Sequence, residues 1–237
     1  MDLQFPYLST EEYFQFPHPN TATSEGVVAV GGNLSPGMLL SAYKQGIFPW
    51  FSPDEPLLWW SPDPRFVLYP QHLHISKSMK KVLRKGVYDI SFDTAFDQVI
   101  KNCSNVYRPG QPGTWITDDM ESAYNKFHEL GYAHSVEAWD DKGNLCGGLY
   151  GVSLGRYFFG ESMFALAPNA SKAAFITLVK TLEQQGLFCI DCQVHTEHLE
   201  SLGAQHIKRD DFLEELSLNS LGNDFFGTWQ GMVKAPI

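Results

Sequence analysis

The stretch HSVEAWDDKGNLCGGLYGVSLGRYFFGESMF, from His134 to Phe164, alternates along its length and turns twice, at Asp141 to Gly143 and near Leu154-Gly155. Period-two alternation broken by turn residues predicts a meander of three antiparallel strands. Downstream, a helical pattern opens at Asn169 or Ser171, runs to Gln185 and stops at Gly186. A strand, LFCIDCQV, follows, and then a helix from about Thr196 to Leu202 closed by Gly203. Upstream, helices are expected over Lys77 to Lys85, Ala95 to Asn102 and Asp118 to Leu130, with a short strand over Tyr88 to Phe92. A meander followed by helix, strand and helix is an α+β layout.

The first sixty residues differ in texture, being rich in aromatics, Gly and Pro. Val27 to Val30 reads as a short strand and Gly31-Gly32 as a turn. Ser35 is then an N-cap with Pro36 at the first helical position, and the helix passes Tyr43 before Gly46 ends it. The Pro-punctuated WWSPDPRF, Trp59 to Phe66, reads as extended chain or linker. The expected division is a small N-terminal domain over residues 1–62 and a larger one over 63–237.

A hydrophobic content of 43% supports a real core, and no stretch has the length or apolarity of a membrane span. With no basic and apolar leader, the chain reads as cytoplasmic. Cys103, Cys146, Cys189 and Cys192 are too few for a disulfide framework and read as free thiols. The net charge of −10 argues against wholesale nucleic-acid binding, yet Lys77, Lys80, Lys81, Arg84 and Lys85 crowd one short segment. Spacings of three and four put Lys77, Lys80, Lys81 and Arg84 on one helical face, either a solvated face or a polyanion site.

Three constellations carry candidate chemistry. Cys189, Cys192, His195 and His198 offer zinc ligands on paper, but structural zinc sites need a long excursion between ligand pairs, so no metal is expected. On the same strand Asp191 and Gln193 share one face inside an apolar run. They are either the solvent face of a half-exposed strand or a hydrogen-bonding pair that handles an amine. Glu161 stands among Phe158, Phe159, Met163 and Phe164, an environment costly for a carboxylate unless a hairpin end exposes it. Strict alternation would group Phe159, Glu161 and Met163 against Phe158, with Gly160 able to bulge the strand. Trp50, Trp59, Trp60, Trp115 and Tyr124 are either core or the wall of a pocket.

The stretches EGVVAVGGNLSPGMLLSAYKQGIFPWFSP, PLLWWSPDPRFVL, GTWIT, GGLYGVSLGRYFFGESMF, NASK and IDCQVHTEHLESLGA closely resemble the leucyl/phenylalanyl-tRNA–protein transferases, from about Gly26 to Leu213. The resemblance implies a larger domain with the fold of the GCN5-related acyltransferases. It implies transfer of Leu or Phe, and less efficiently Met, from aminoacyl-tRNA to proteins beginning with Arg or Lys, marking them for the N-degron route. It places the family's catalytic pair on Asp191 and Gln193 and its active-site glutamate on Glu161. Its donor pocket falls on Trp50, Trp115, Tyr124, Leu149, Phe158, Met163 and Leu178, with Leu149 and Leu178 standing where one family member carries Met and Phe. Its acceptor-stem patch falls on Lys77, Lys80, Lys81 and Arg84.

An aminoacyl ester is already activated, so no covalent nucleophile, metal or cofactor is expected. In one reading Gln193 hydrogen-bonds the attacking amine, Asp191 orients Gln193 and draws off charge, and Glu161 fixes the donor's α-amine or ribose. In another, the substrate's ribose hydroxyl carries the proton and these side chains only position. The competing enzyme is an acyl-CoA-dependent N-acetyltransferase, but the APNASK segment lacks the glycines of a pyrophosphate loop. A non-catalytic RNA-binding module is the alternative of a different class. No membrane partner and a monomer are expected.

Overall fold

The computed structural model describes residues 5–53, 55–105, 116–219 and 225–235. The N-terminal part contains β1 (Val27–Val30), α1 (Pro36–Lys44), β2 (Phe48–Pro49) and β3 (Leu58–Trp60), with a three-stranded antiparallel sheet in the order β1-β3-β2. Pro36 starts α1 after Ser35 as expected, but the Ser35 hydroxyl accepts from the Leu8 amide at 3.1 Å and does not cap the helix. From Pro36 to Tyr43 every residue of α1 is buried, so this helix is core on all sides.

The rest of the chain runs β4 (Arg65–Leu68), α2 (Lys77–Arg84), β5 (Asp89–Phe92), α3 (Phe96–Asn105), α4 (Asp118–Glu129), β6 (Ala133–Trp139), β7 (Leu145–Leu154), β8 (Tyr157–Ala165), α5 (Ala170–Glu183), β9 (Cys189–Gln193), α6 (Glu197–Glu200), β10 (Gln205–Ile207) and α7 (Arg209–Asn219). A seven-stranded mixed sheet has the order β10-β4-β9-β8-β7-β6-β5. All its pairs are antiparallel except β8 and β9, which run parallel and are joined by α5. The α+β layout and the three-stranded meander β6-β7-β8 follow the alternation of the sequence.

Of the two readings of Trp59 to Phe66, extended chain holds at both ends of the segment, and what the sequence did not show is that its second half is a central strand. The segment ends β3 in one sheet and begins β4 in the other, and β4 lies between β9 and β10 with all four residues buried. Proline at 62 and 64 dominated the local signal, whereas the strand is held by tertiary pairing and by burial of its own charge. Strands as short as β2 and β10 carry no alternation to read.

One core cluster lies on the face that carries Tyr43, Trp59, Tyr124, Phe127, Phe159 and Phe212, and so includes side chains of α1 and β3 from the N-terminal part. The opposite face packs under α5 with Phe66, Leu149, Phe158, Leu178 and Ile190. Gly147 lets α5 sit directly on β7, since a Cβ there would come within 2.7 Å of the Ala170 Cβ.

Two irregularities shape the middle of the sheet. Tyr150 pairs with Ser162 and Gly151 with Gly160, so Glu161 is the extra residue of a bulge. The bulge reverses the parity beyond it, which corrects the strict grouping. Met163 joins Phe158 on the α5 face, while Phe159 faces the other cluster. On the adjoining strand, Gln193 has φ 64°, left-handed for a non-glycine residue.

β4 is tied to β9 by charge. Arg65 Nε and Nη2 donate to the two carboxylate oxygens of Asp191 at 2.8 and 2.6 Å, and neither side chain has any exposed surface. The guanidinium lies between the rings of Phe48 and Phe212, 4.8 and 4.6 Å from their centroids. Arg65→Met is expected to destabilise the fold by about 3–5 kcal/mol, because it strands a buried carboxylate. Combining it with Asp191→Leu should restore most of that loss, as measured by urea melts. Equal losses in the single and double variants would mean that packing, and not charge compensation, joins the strands.

Candidate functional site

β8 and β9 pair only from Tyr157 with Cys189 to Phe159 with Asp191. Past that point β8 continues along β7 to Ala165, and the gap between β8 and β9 opens into a cavity of about 740 Å³. Its walls are mostly apolar, with Leu149, Phe158, Met163, Phe175 and Ile190 among them, and Trp50 and Phe48 reach it from the N-terminal part. Glu161 and Gln193 are set into this lining where the two strands part.

The geometry of that corner is built residue by residue. Asp191 Oδ1 also accepts from the Gln193 backbone N–H at 2.9 Å, an Asx-type contact that holds the left-handed turn at Gln193. The turn carries the carboxamide toward Glu161, whose Oε1 accepts from Gln193 Nε2 at 2.8 Å. Oε1 also accepts from the Tyr43 hydroxyl at 2.7 Å, and Oε2 accepts from the Tyr124 hydroxyl at 3.1 Å. The two phenol oxygens are themselves 2.5 Å apart. Burial pushes the Glu161 carboxyl up to about 7, against the pull of hydrogen bonds from Tyr43, Tyr124 and Gln193 and with a further push from nearby Asp191. Burial also raises both phenols well above their ordinary value, and the neighbouring Glu161 adds to it.

The structure brings Asp191, Gln193 and Glu161 together, but Asp191 has no exposed surface and does not line the cavity. Of the expected pocket residues, Trp50, Leu149, Phe158 and Met163 line it. Tyr124 lies behind Glu161, fully buried. Leu178 is in the core beneath α5, and the lining from that helix comes from Ser171 and Phe175. Trp115 lies outside the described residues. Cys192, His195 and His198 reach the cavity and Cys189 does not; among the described residues no cluster suited to a metal ion occurs.

Tyr43 and Arg65 were not singled out in the sequence, although each has a signal. A carboxylate in an apolar strand requires a cation or several donors, and Asp191 and Glu161 both pose that requirement. The partners lie 126 and 118 residues away along the chain, so sequence states the need without the answer.

Lys77, Lys80, Lys81 and Arg84 occupy the exposed face of α2, opposite buried Met79, and none of the four is in an ion pair among the described residues. Lys80 and Arg84 share a groove with Lys180 of α5, the helix whose first turns line the cavity. From Ser171 to Lys180 is roughly 14 Å along that helix.

The family described as leucyl/phenylalanyl-tRNA protein transferase matches residues 67–217, and its N-terminal domain matches residues 32–63. The leucyl/phenylalanyl-tRNA–protein transferase of Myxococcus xanthus is 56% identical over 89% of this chain and 90% of that protein. The protein of the same name from Maridesulfovibrio salexigens is 52% identical over 92% and 90%. The solved structure of L-PGS from Bacillus licheniformis overlays with a TM-score of 0.38 at 14% identity, covering 58% of this chain and 48% of that one. The chain therefore belongs to the leucyl/phenylalanyl-tRNA–protein transferase family.

Proposed function

We propose that this chain moves Leu or Phe, and less efficiently Met, from aminoacyl-tRNA onto the α-amine of proteins beginning with Arg or Lys, marking them for N-degron degradation. The observation that carries the reading is an apolar cavity whose polar corner is a carboxylate and a carboxamide in direct contact. An apolar side chain fills the lined part, while the ester and the incoming amine meet Glu161 and Gln193. Family membership supports aminoacyl-tRNA as donor and a protein as acceptor. The single parallel pair β8 and β9, parting at the cavity, fits a GCN5-related acyltransferase architecture for a catalytic domain over residues 63–237. The protein works as a cytoplasmic monomer without a cofactor.

In this reading Gln193 turns its amide nitrogen to Glu161, as a carboxylate neighbour requires, and leaves its amide oxygen to accept from the attacking amine. Asp191 acts from behind, fixing the turn that aims Gln193 while Arg65 holds its charge. Glu161 meets the donor's α-amine or terminal ribose. Trp50, Trp115, Leu149, Phe158 and Met163 hold the donor side chain, with Tyr124 and Leu178 supporting from behind. Lys77, Lys80, Lys81 and Arg84 run along the acceptor stem.

The direct test is incubation with radiolabelled Leu-tRNA and a peptide beginning with Arg. Label should enter that peptide and not one whose α-amine is acetylated; no transfer with a folded protein and intact tRNA would overturn the reading. Replacing Lys80, Lys81 and Arg84 by Glu should weaken tRNA binding and lower the slope of log K against log salt by about 2–3, through loss of counterion release. Transfer from an aminoacyl-adenosine donor should barely change. An unchanged slope would remove α2 from the interface.

Met163→Ala should change the relative use of Phe and Leu by about 10-fold, within the 1–3 kcal/mol that a hydrophobic pocket can discriminate. Leu178→Ala, one layer deeper, should cost about 2–5 kcal/mol of stability with a smaller change in that ratio. Competition between Phe-tRNA and Leu-tRNA measures both. A parallel fall for all donors in Met163→Ala would make that side chain plain core.

A further inference from the structure

Tyr43, Tyr124 and Glu161 make three oxygen contacts: 2.5 Å between the phenols, 2.7 Å from Tyr43 to Oε1 and 3.1 Å from Tyr124 to Oε2. Two phenols supply two hydrogens for these three contacts. With Glu161 ionised both phenols donate to it, and the contact between the two phenol oxygens is left without a hydrogen. A third proton on Oε2 completes the circuit, Oε2 donating to Tyr124, Tyr124 to Tyr43 and Tyr43 to Oε1, with no change of side-chain position. Tyr43 and Tyr124 are fully buried, and Glu161 is the member that lines the cavity.

We propose that these three side chains form a proton-accepting ring, with Glu161 as the catalytic residue that takes a proton from the attacking amine and Tyr43 and Tyr124 as positioning residues. The proposal rests on the aminoacyl-transfer reading and reassigns its proton chemistry. Asp191 is unsuited to the task, because it has no exposed surface and both its oxygens are on Arg65. The lone pair of the free α-amine bonds to the ester carbonyl carbon as the carbonyl π pair moves onto its oxygen, and the nitrogen then gives one proton to Glu161 Oε2. The oxyanion pair returns to re-form the carbonyl. The bond from carbon to the ribose oxygen breaks, its electron pair goes to that oxygen, and the oxygen takes the proton back from Oε2. Amide and free tRNA hydroxyl result, and Glu161 ends ionised as it began.

The groups facing Glu161 are Tyr43 from α1, Tyr124 from α4, and Asp191 and Gln193 from β9, with Tyr150 of β7 against the Tyr124 ring and Arg65 of β4 behind Asp191. A carboxyl brought to about 7 by burial has both its forms available near neutral pH. The base works ionised, so the rate rises with pH through its pKa. Removing a phenol that stabilises the anion raises that pKa and moves the limb to higher pH.

The experiment is single-turnover transfer from saturating Leu-tRNA to an Arg peptide, from about pH 6 to 9, for the wild type, Tyr43→Phe, Tyr124→Phe and Glu161→Gln. The amine is common to all four, so differences in the limb belong to the enzyme. Tyr124→Phe should move the limb up by about one pH unit and recover most activity at the alkaline end. Glu161→Gln should lose ~100-fold or more at every pH. An unmoved limb with a uniformly lower rate in Tyr124→Phe, or Glu161→Gln at near wild-type rate, overturns the ring while leaving the transferase reading intact. A wild type that transfers nothing overturns that reading itself. Should the Phe variants not fold, the infrared band of the protonated carboxyl, identified by its loss in Glu161→Gln, decides. It should titrate near neutral pH in the wild type, and titration in the ordinary carboxylate range overturns the proposal.

Discussion

A carboxylate sealed from water at the end of β9 needs a compensating cation, and much of the site depends on how Arg65 provides it. The guanidinium reaches Asp191 from β4, and the pair binds the strand that follows the N-terminal part to the strand that ends at the cavity. The two phenylalanine rings that flank Arg65 come from β2 and α7, so the small sheet and the last described helix both close over it. With its charge engaged, Asp191 still has a lone pair for the Gln193 amide, and that contact sets the direction in which the strand ends. A left-handed residue other than glycine costs about 1–2 kcal/mol, and the hydrogen bond from its own N–H offsets part of that. The position of the carboxamide is thus a consequence of charge pairing one strand away.

The cavity arises because two neighbouring parallel strands lose regularity at the same level. β8 carries its extra residue at Glu161 and β9 turns at Gln193, and the pairing between them stops two residues short of each. Had either strand continued its ladder, the space would be filled by side chains packed at ordinary core density. The same bulge inverts the alternation of β8, which puts Met163 into the apolar wall with Phe158 and leaves Glu161 directed at the phenols of α1 and α4. A single inserted residue therefore separates an apolar cavity wall from the carboxyl set into its polar corner.

The meander, α5, β9 and the basic face of α2 were legible because each is long enough for its period to show, or carries charges spaced as a helix requires. The shared face of Asp191 and Gln193 was legible for the same reason, as was the oddity of Glu161 among aromatics. Partnership was not. Arg65 sat directly after two closely spaced prolines in a stretch that reads as extended chain or linker, and Tyr43 looked like one more aromatic in a buried helix. Both become functional candidates only when the sheet brings distant segments side by side. Leu178 marks the opposite limit: it has the spacing of its helical neighbours, but the cavity reaches Phe175 and stops above it.

The division of labour between charge and burial explains how an acidic protein suits a polyanionic donor. A net charge of −10 repels phosphate on average, but screening confines that repulsion to about 8–10 Å at physiological ionic strength. Within that range of α2 its exposed lysines and arginine, with Lys180 and Glu183 beside them, make a local stripe that is basic on balance, so the overall acidic charge does not by itself exclude a polyanion there. In the proposed function the aminoacyl end then enters a lining that recognises its side chain by burial. Such a lining excludes polar side chains strongly, because it offers them no partners, and separates apolar ones weakly. Under the proposed function, breadth among Leu, Phe and Met and refusal of polar residues would therefore be two results of one surface, with discrimination of the acceptor left to groups outside it.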